Sequence, residues 1–248
     1  LIKCILKISK SYLNLNTSVE DSFLISNDFN LIYAKVNVQD NPQSPSYPAL
    51  PFLSRNILPG EGSSPFENEI KWRGRPLGSN YPSPFSTKDI YQYHITDSMK
   101  FSFFENDFFD ISITHSAHSN LAIRPDIINS RFQEALAGKG GERKNLSWNL
   151  FADINAEELV QYVSGNLTAR KKGSLSSIDG IYLTNFNEIY FSAGFQIARD
   201  TLDIQYNDLG RIEVNKEGQI TKQADLFFLG GGTAVSYTHL RAHETHDD

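Results

Sequence analysis

Two tight turns, Glu105-Asn106-Asp107 and Asn185-Phe186-Asn187, each sit between strong strand patterns, and every connection outside those hairpins is long: residues 39–88, 118–174 and 199–233. This sorting of short links to one edge and long links to the other constrains the fold more than any other feature. Globular sheets draw most of their connections from the short end, with a median of about 4–6 residues. A transmembrane β-barrel is wired with brief turns at one rim and extended loops at the other. Strand pairs are expected near 19–38, 90–115 and 175–198.

Alternation within the strands supports this. From Tyr91 to Phe103 the odd positions read Tyr91, Tyr93, Ile95, Asp97, Met99, Phe101 and Phe103, while the even ones are mostly polar, from Gln92 and His94 to Lys100 and Ser102. Phe109, Ile111 and Ile113 continue the apolar set across the turn; Asp110, Ser112 and Thr114 continue the polar one. Ile189, Phe191, Ala193, Phe195 and Ile197 repeat the pattern against Ser192, Gly194 and Gln196, with Leu175 to Thr184 as the partner strand. A period of two puts each set on one face of a sheet. The first pair is placed at Val19–Ile25 and Phe29–Val38 across Ser26-Asn27-Asp28, with Leu1–Ile8 a further candidate strand. Aromatics near the turns, Phe23, Phe29, Phe104, Phe108, Phe186 and Tyr190 among them, fit an interfacial girdle.

A hydrophobic content of 40% and an aromatic content of 12% suffice for a core or a barrel wall. A net charge of -6, with no cationic cluster interleaved with aromatics, disfavours nucleic acid as a partner. Cys4 is the sole cysteine, which excludes an internal disulfide and a thiolate metal site. No apolar run approaches the roughly 20 residues of a spanning helix, a test that does not bear on barrels.

Nine of the ten prolines lie between Pro42 and Pro84, together with Phe52, Phe66, Trp72 and Tyr81. Proline fixes φ and removes a donor, so this stretch is read as an ordered external loop rather than a helix or a central strand. The 118–174 loop is expected to carry two short helices. One runs from Pro125-Asp126 to a stop at Gly138; the other is capped by Asn155, buries Leu159 and Val163 and stops at Gly165.

No constellation compels chemistry, and catalytic, cofactor-binding and metal residues are each read as none. His115 and His118 with Asp110 and Asp126 are metal-ligand types without a diagnostic third spacing. Gly138-Lys139-Gly140-Gly141 follows a helix, whereas a phosphate loop precedes one. Asp107, Asp110, Asp153 and Glu158 are the carboxylates from which a glycosidase pair would be drawn, and sequence sets no distance between them. Ser116 and Ser119 lack a nucleophile elbow. His239, His243, Glu244 and His246 fall in the tail. Residues 235–245 resemble translated sequencing-adapter read-through, so 234–248 is expected to be an adapter-derived tail that packs on nothing. The chain starts at Leu1 with Met99 as its only methionine, and both native ends are expected to lie elsewhere.

Several stretches resemble the barrel domain of TonB-dependent outer-membrane receptors, in a proteobacterial branch of that family. They include Asn41-Pro42-Gln43-Ser44-Pro45, Ser130-Arg131-Phe132 with Ala135-Leu136-Ala137-Gly138-Lys139-Gly140-Gly141, Trp148-Asn149-Leu150-Phe151, Ser192-Ala193-Gly194-Phe195-Gln196, Asp208-Leu209-Gly210-Arg211 and Ala224-Asp225-Leu226-Phe227. The likeness covers most of residues 40–232. It implies an all-β membrane protein, with residues 1–233 a partial antiparallel transmembrane barrel, its extracellular loops carrying the two helices. It further implies TonB-energised uptake across the bacterial outer membrane of a scarce ligand (iron chelate, cobalamin or glycan), without enzymatic activity. Implied partners are that ligand at the loops, outer-membrane lipid, and TonB through a plug region not legible in this sequence. The reading from a different class is a soluble exported α+β protein, a glycan-active hydrolase using carboxylates of the 107–158 region.

Overall fold

The computed structural model describes residues 7–19, 24–40, 54–73, 85–104, 107–186, 189–227 and 232–245. Strands β1 (Lys7–Val19) and β2 (Leu24–Asp40) are followed by a small hairpin, β3 (Ser54–Ile57) with β4 (Ile70–Arg73). Next come β5 (Ser86–Phe104) and β6 (Asp107–Ile127), helices α1 (Asn129–Leu136) and α2 (Glu157–Val163), then β7 (Ser164–Phe186) and β8 (Ile189–Tyr206). A second small hairpin, β9 (Glu213–Val214) with β10 (Ile220–Lys222), precedes β11 (Val235–Thr245).

One antiparallel sheet takes seven of these strands in the order β1-β2-β5-β6-β7-β8-β11. Setting the two small hairpins aside, that is chain order, so each strand pairs with its predecessor and direction alternates. All short reversals therefore fall along one edge: Phe104 pairs with Asp107, and Phe186 with Ile189. The connections from β2 to β5, β6 to β7 and β8 to β11 all fall along the other edge. The asymmetry expected from the sequence is thus a property of the sheet.

Register defines its two faces. One carries Leu13 and Leu15 of β1, Leu31 and Tyr33 of β2, Tyr93 and Ile95 of β5, Ile111 and Ile113 of β6, Ile178 of β7, and Phe195 and Ile197 of β8. Many of these are open, Leu15 at 48%, Phe191 at 57% and Ile197 at 47%. The Phe195 ring lies across Gly180, where a Cβ would come within 2.3 Å of it, so this pair needs a residue without a side chain. Toward the loop edge the same face turns charged, with Arg170, Lys172, Arg199 and Asp203.

The opposite face carries polar groups that bond to one another across strands, alongside apolar residues such as Ile32 and Val36 of β2 and Ile181 and Leu183 of β7. His94 Nδ1 meets Ser116 Oγ at 2.7 Å, Ser98 meets Ser112 at 3.0 Å, and Gln196 donates to Asp179. Neither face of the sheet is covered by a second layer among the described residues. The buried cluster lies instead at the loop edge, where Ile57, Trp72, Phe132, Leu136, Trp148, Leu159 and Val163 pack together and only Ile127 comes from the main sheet. Isolated single sheets with one apolar face do not persist in water, because that face must be buried against something.

Several boundaries differ from those expected. Ser26-Asn27-Asp28 is not a turn but lies inside β2, paired with β5 from Ser98 to Lys100, and Asn27 Nδ2 donates to Asp97 Oδ1 at 2.7 Å. Turn-type residues are overridden there by cross-strand partners. β1 extends through 9–18, so the first hairpin is β1–β2 and its reversal lies in 20–23, outside the described residues. β6 and β7 extend beyond the strand ends expected from the sequence, leaving 128–163 between them, and β8 leaves 207–234. Pro125-Asp126 belongs to β6 rather than to a helix start. Asn155 does not cap α2; its amide instead clasps Asn149, accepting from the Asn149 N–H at 2.8 Å and donating to the Asn149 carbonyl at 2.9 Å. Leu159 and Val163 are buried as expected.

The tail is a second correction: 235–245 does not stand free but forms β11 along β8, from Ile204 opposite Val235 to Gly194 opposite Thr245. An open sheet edge offers a row of unpaired donors and acceptors, and alternation such as Val235-Ser236-Tyr237-Thr238 suffices to fill it.

Candidate functional site: the polar face and its cap

The three long connections meet in one cap. α1 follows β6 directly and ends in a left-handed Gly138 (φ 77°). Gly138 N–H donates to the Ala135 carbonyl at 3.1 Å and Lys139 N–H to the Glu134 carbonyl at 2.8 Å, the paired bonds of a Schellman stop. The glycine-lysine-glycine stretch therefore terminates a helix. The indole of Trp148 meets the Phe132 ring edge-on at 5.6 Å, and Phe227 from the last loop meets Phe132 from another side at 5.2 Å. The first loop enters through Ile57 and Trp72, and Leu150 N–H donates to the Gly62 carbonyl at 3.0 Å. Gly62 has no room for a Cβ, which would lie 2.8 Å from both Leu136 and Leu150. Asp225 of the third loop accepts the Ser130 N–H at 2.7 Å and the Ser130 hydroxyl at 2.5 Å, capping α1 where Ile128 supplies no side-chain oxygen.

On the cap surface, the Tyr162 hydroxyl donates to Glu134, and Lys144 Nζ lies 3.4 Å from the same carboxylate. Those bonds hold the Glu134 carboxyl below its ordinary value, the Tyr162 bond foremost. In return the carboxylate pushes the Tyr162 phenol up.

Below the cap, concavities open on the polar face at successive levels from the turn edge to the loop edge. One at the turns lies by Phe108, Leu183, Tyr190 and Ser192, and the next by Asp28, Lys100, Asp110 and Asp179. The third lies by His94, His118, Leu175 and Asp200, and the last by Lys88, Asn120, Arg124, Lys171 and Tyr206. Asn30, Asp110 and Asn120 each keep a buried side-chain oxygen without a partner, and all three are on this face. The face that carries these three unpartnered oxygens is thus also the hollow one.

The residues singled out in the sequence are spread over both faces of the sheet and the cap. His115 and His118 take opposite faces: His115 bonds Tyr93 Oη at 3.0 Å and Ser176 Oγ at 2.8 Å, whereas His118 crosses Gly173 on the polar side. Asp110 lies eight residues from His118 along β6, about 27 Å at strand rise. Asp126 Oδ1 accepts the Ile127 N–H at 2.6 Å. No group of three potential metal-ligating side chains occurs among the described residues. Asp107 accepts from Tyr182 and Thr184 on the apolar face, opposite to Asp110. From Asp110 to the loop end of β6 at Ile127 is about 58 Å, so neither turn-edge carboxylate reaches Asp153 or Glu158 within the roughly 5–9.5 Å of a glycosidase pair. Ser116 and Ser119 are in mid-strand, and His239 and His243 are strand residues about 13 Å apart; His246 lies outside the described residues.

The cations of the uppermost concavity escaped sequence reading. Lys88, Arg124 and Lys171 sit on three strands, and only register brings them together. Comparison with protein-family models, curated proteins and solved structures finds no match for this chain.

Proposed function

We propose that the chain is barrel wall with its extracellular loops from an outer-membrane receptor of the TonB-dependent type, taking up a scarce ligand with energy passed from the inner membrane. The observation that carries this reading is the uncovered sheet, which exposes an apolar band of Ile113, Ile178, Phe191, Phe195 and Ile197 on one face beside the short turns and opens concavities lined with polar groups on the other. Lipid on the first side and water on the second is the environment in which both faces are satisfied.

Lengths agree. The apolar run of β8 from Ile189 to Ile197 gives about 20–25 Å after strand tilt, near the height of a barrel's lipid-facing band. β6 and β7, with 21 and 23 residues, are about 70–80 Å long and project well past a hydrocarbon layer of about 30 Å. The projecting parts are those where the outer face turns charged and the cap begins. In this reading the cap faces the outside and receives ligand; TonB acts through a plug domain, and outer-membrane lipid surrounds the wall.

The test is heat-modifiability of the complete receptor. It is expected in the outer-membrane fraction, with different gel migration before and after boiling. A product found in the soluble periplasmic fraction that migrates identically in both states would refute the proposal.

A further inference from the structure

The concavity at the loop edge has a floor of two alanines. Lys88, Ala122, Ala169 and Tyr206 form one row across β5, β6, β7 and β8, so small residues in the middle strands leave a hollow between long ones. It measures about 220 Å³. Arg124 rises one row nearer the cap and Lys171 one row nearer the turns, with Cα positions about 13 Å apart along the strands, a gap that two long side chains close over alanine.

Charge and hydrogen bonding there are unbalanced in a specific way. Lys88 Nζ is held by Asp40 at 3.1 Å, but Arg124 and Lys171 have no ion-pair partner among the described residues. Two cations that line one hollow repel each other, and an anion between them relieves this. Beside them Asn120 presents a buried side-chain oxygen with nothing donating to it, and an unmade buried hydrogen bond is costly. A ligand that fits carries a carboxylate for the cations and, next to it, a hydroxyl for Asn120.

We propose that this hollow is a binding site for a hydroxycarboxylate, of which an acidic sugar such as a uronic acid is the form that fits its size. The assignment rests on the receptor reading for its setting, since it deepens that reading by naming the chemical class of the ligand.

The test is calorimetric titration of the whole chain in detergent with galacturonate, galactose and inorganic phosphate. Galacturonate is expected to bind, galactose to bind at least about tenfold more weakly, and phosphate to lie between them. Lys171→Gln and Arg124→Gln are each expected to weaken galacturonate about tenfold or more, the scale of a lost charge-assisted contact. Lys171→Arg is expected to retain binding, and Lys100→Gln, on the same face near the turns, to leave it unchanged. Ala122→Leu fills the floor without altering charge and is expected to abolish binding, which covers the case where a charge variant fails to fold. Phosphate binding as tightly as galacturonate, or galacturonate affinity indifferent to Lys171→Gln, Arg124→Gln and Ala122→Leu, overturns the assignment. Galacturonate binding with an apolar face that never meets lipid would instead sink the receptor reading and leave the site standing.

Discussion

Asp225 caps a helix through a residue 95 positions before it: its carboxylate takes both the N–H and the hydroxyl of Ser130 at the start of α1. The third loop thus closes a terminus that the second leaves open. Removing an N-terminal cap costs about 0.5–2 kcal/mol. Asp225→Ala is expected to lower cap stability by that amount in denaturant melts followed by Trp148 fluorescence, and Asp225→Asn by less. No change for Asp225→Ala would mean that α1 does not depend on the third loop.

Trp148 is fully buried in the cluster that Ile57 and Trp72 of the first loop share, edge-on to Phe132. Trp148→Ala is expected to cost about 3–5 kcal/mol by the same melt. Because Ile57 and Trp72 share that core, deleting 54–73 is expected to loosen α1 and α2, seen as faster amide exchange at 129–136 and 157–163. Unchanged protection of both helices would show that the loops fold independently.

Acid acts on the cap through Glu134. Its carboxyl titrates below the ordinary value of 4.5 because Tyr162 and Lys144 bind the charged form, so the stabilisation is present above that value and is lost as pH falls through the lowered one. Tyr162, pushed above its ordinary 10.0, contributes stability below that pH that is lost as pH rises through the raised value. Tyr162→Phe is expected to flatten both limbs of a stability profile against pH. Retention of both limbs in the variant would assign them to other groups.

The proposed lipid-facing side can be challenged with charge. Ala193 is on the apolar face opposite Tyr182, and Ser192 on the polar face opposite Leu183. If that side meets lipid, Ala193→Arg in the complete protein is expected to cost roughly 2–4 kcal/mol, as cations at the bilayer midplane do. Ser192→Arg is expected to cost much less in the same refolding titration into lipid. Equal costs, or the reverse order, would contradict the face assignment.

Alternation made the faces legible in the sequence. Tyr91 to Phe101, Phe109 to Ile113 and Ile189 to Ile197 share one side in the register, as their period of two implies, whereas the apolar Ile32, Ala34, Val36 and Val38 of β2 fall on the other. Strand ends were less legible. Ser26-Asn27-Asp28 has turn chemistry yet is held extended by β5, and Pro125 is tolerated at the end of β6. The cap was half legible: the buried Leu159 and Val163 follow from helical spacing, whereas the Asp225 cap joins segments too distant in sequence to pair on paper. The cationic hollow was not legible at all. Lys88, Arg124 and Lys171 are unremarkable on their own strands, and only the pairing of Ala122 with Ala169 makes room between them.

Whether the apolar face meets acyl chains is the most direct question. Phe191 lies on that face and Gln196 on the polar one, opposite Thr184 and Asp179 respectively. Tryptophan placed at each position in turn, by Phe191→Trp and by Gln196→Trp, can be read in bilayers whose lipids carry bromine in their acyl chains, over the constant signal of Trp72 and Trp148. Strong quenching at 191 with little at 196 is expected. Equal quenching at both positions, or emission at 191 as unaffected as in unbrominated lipid, would contradict a barrel wall.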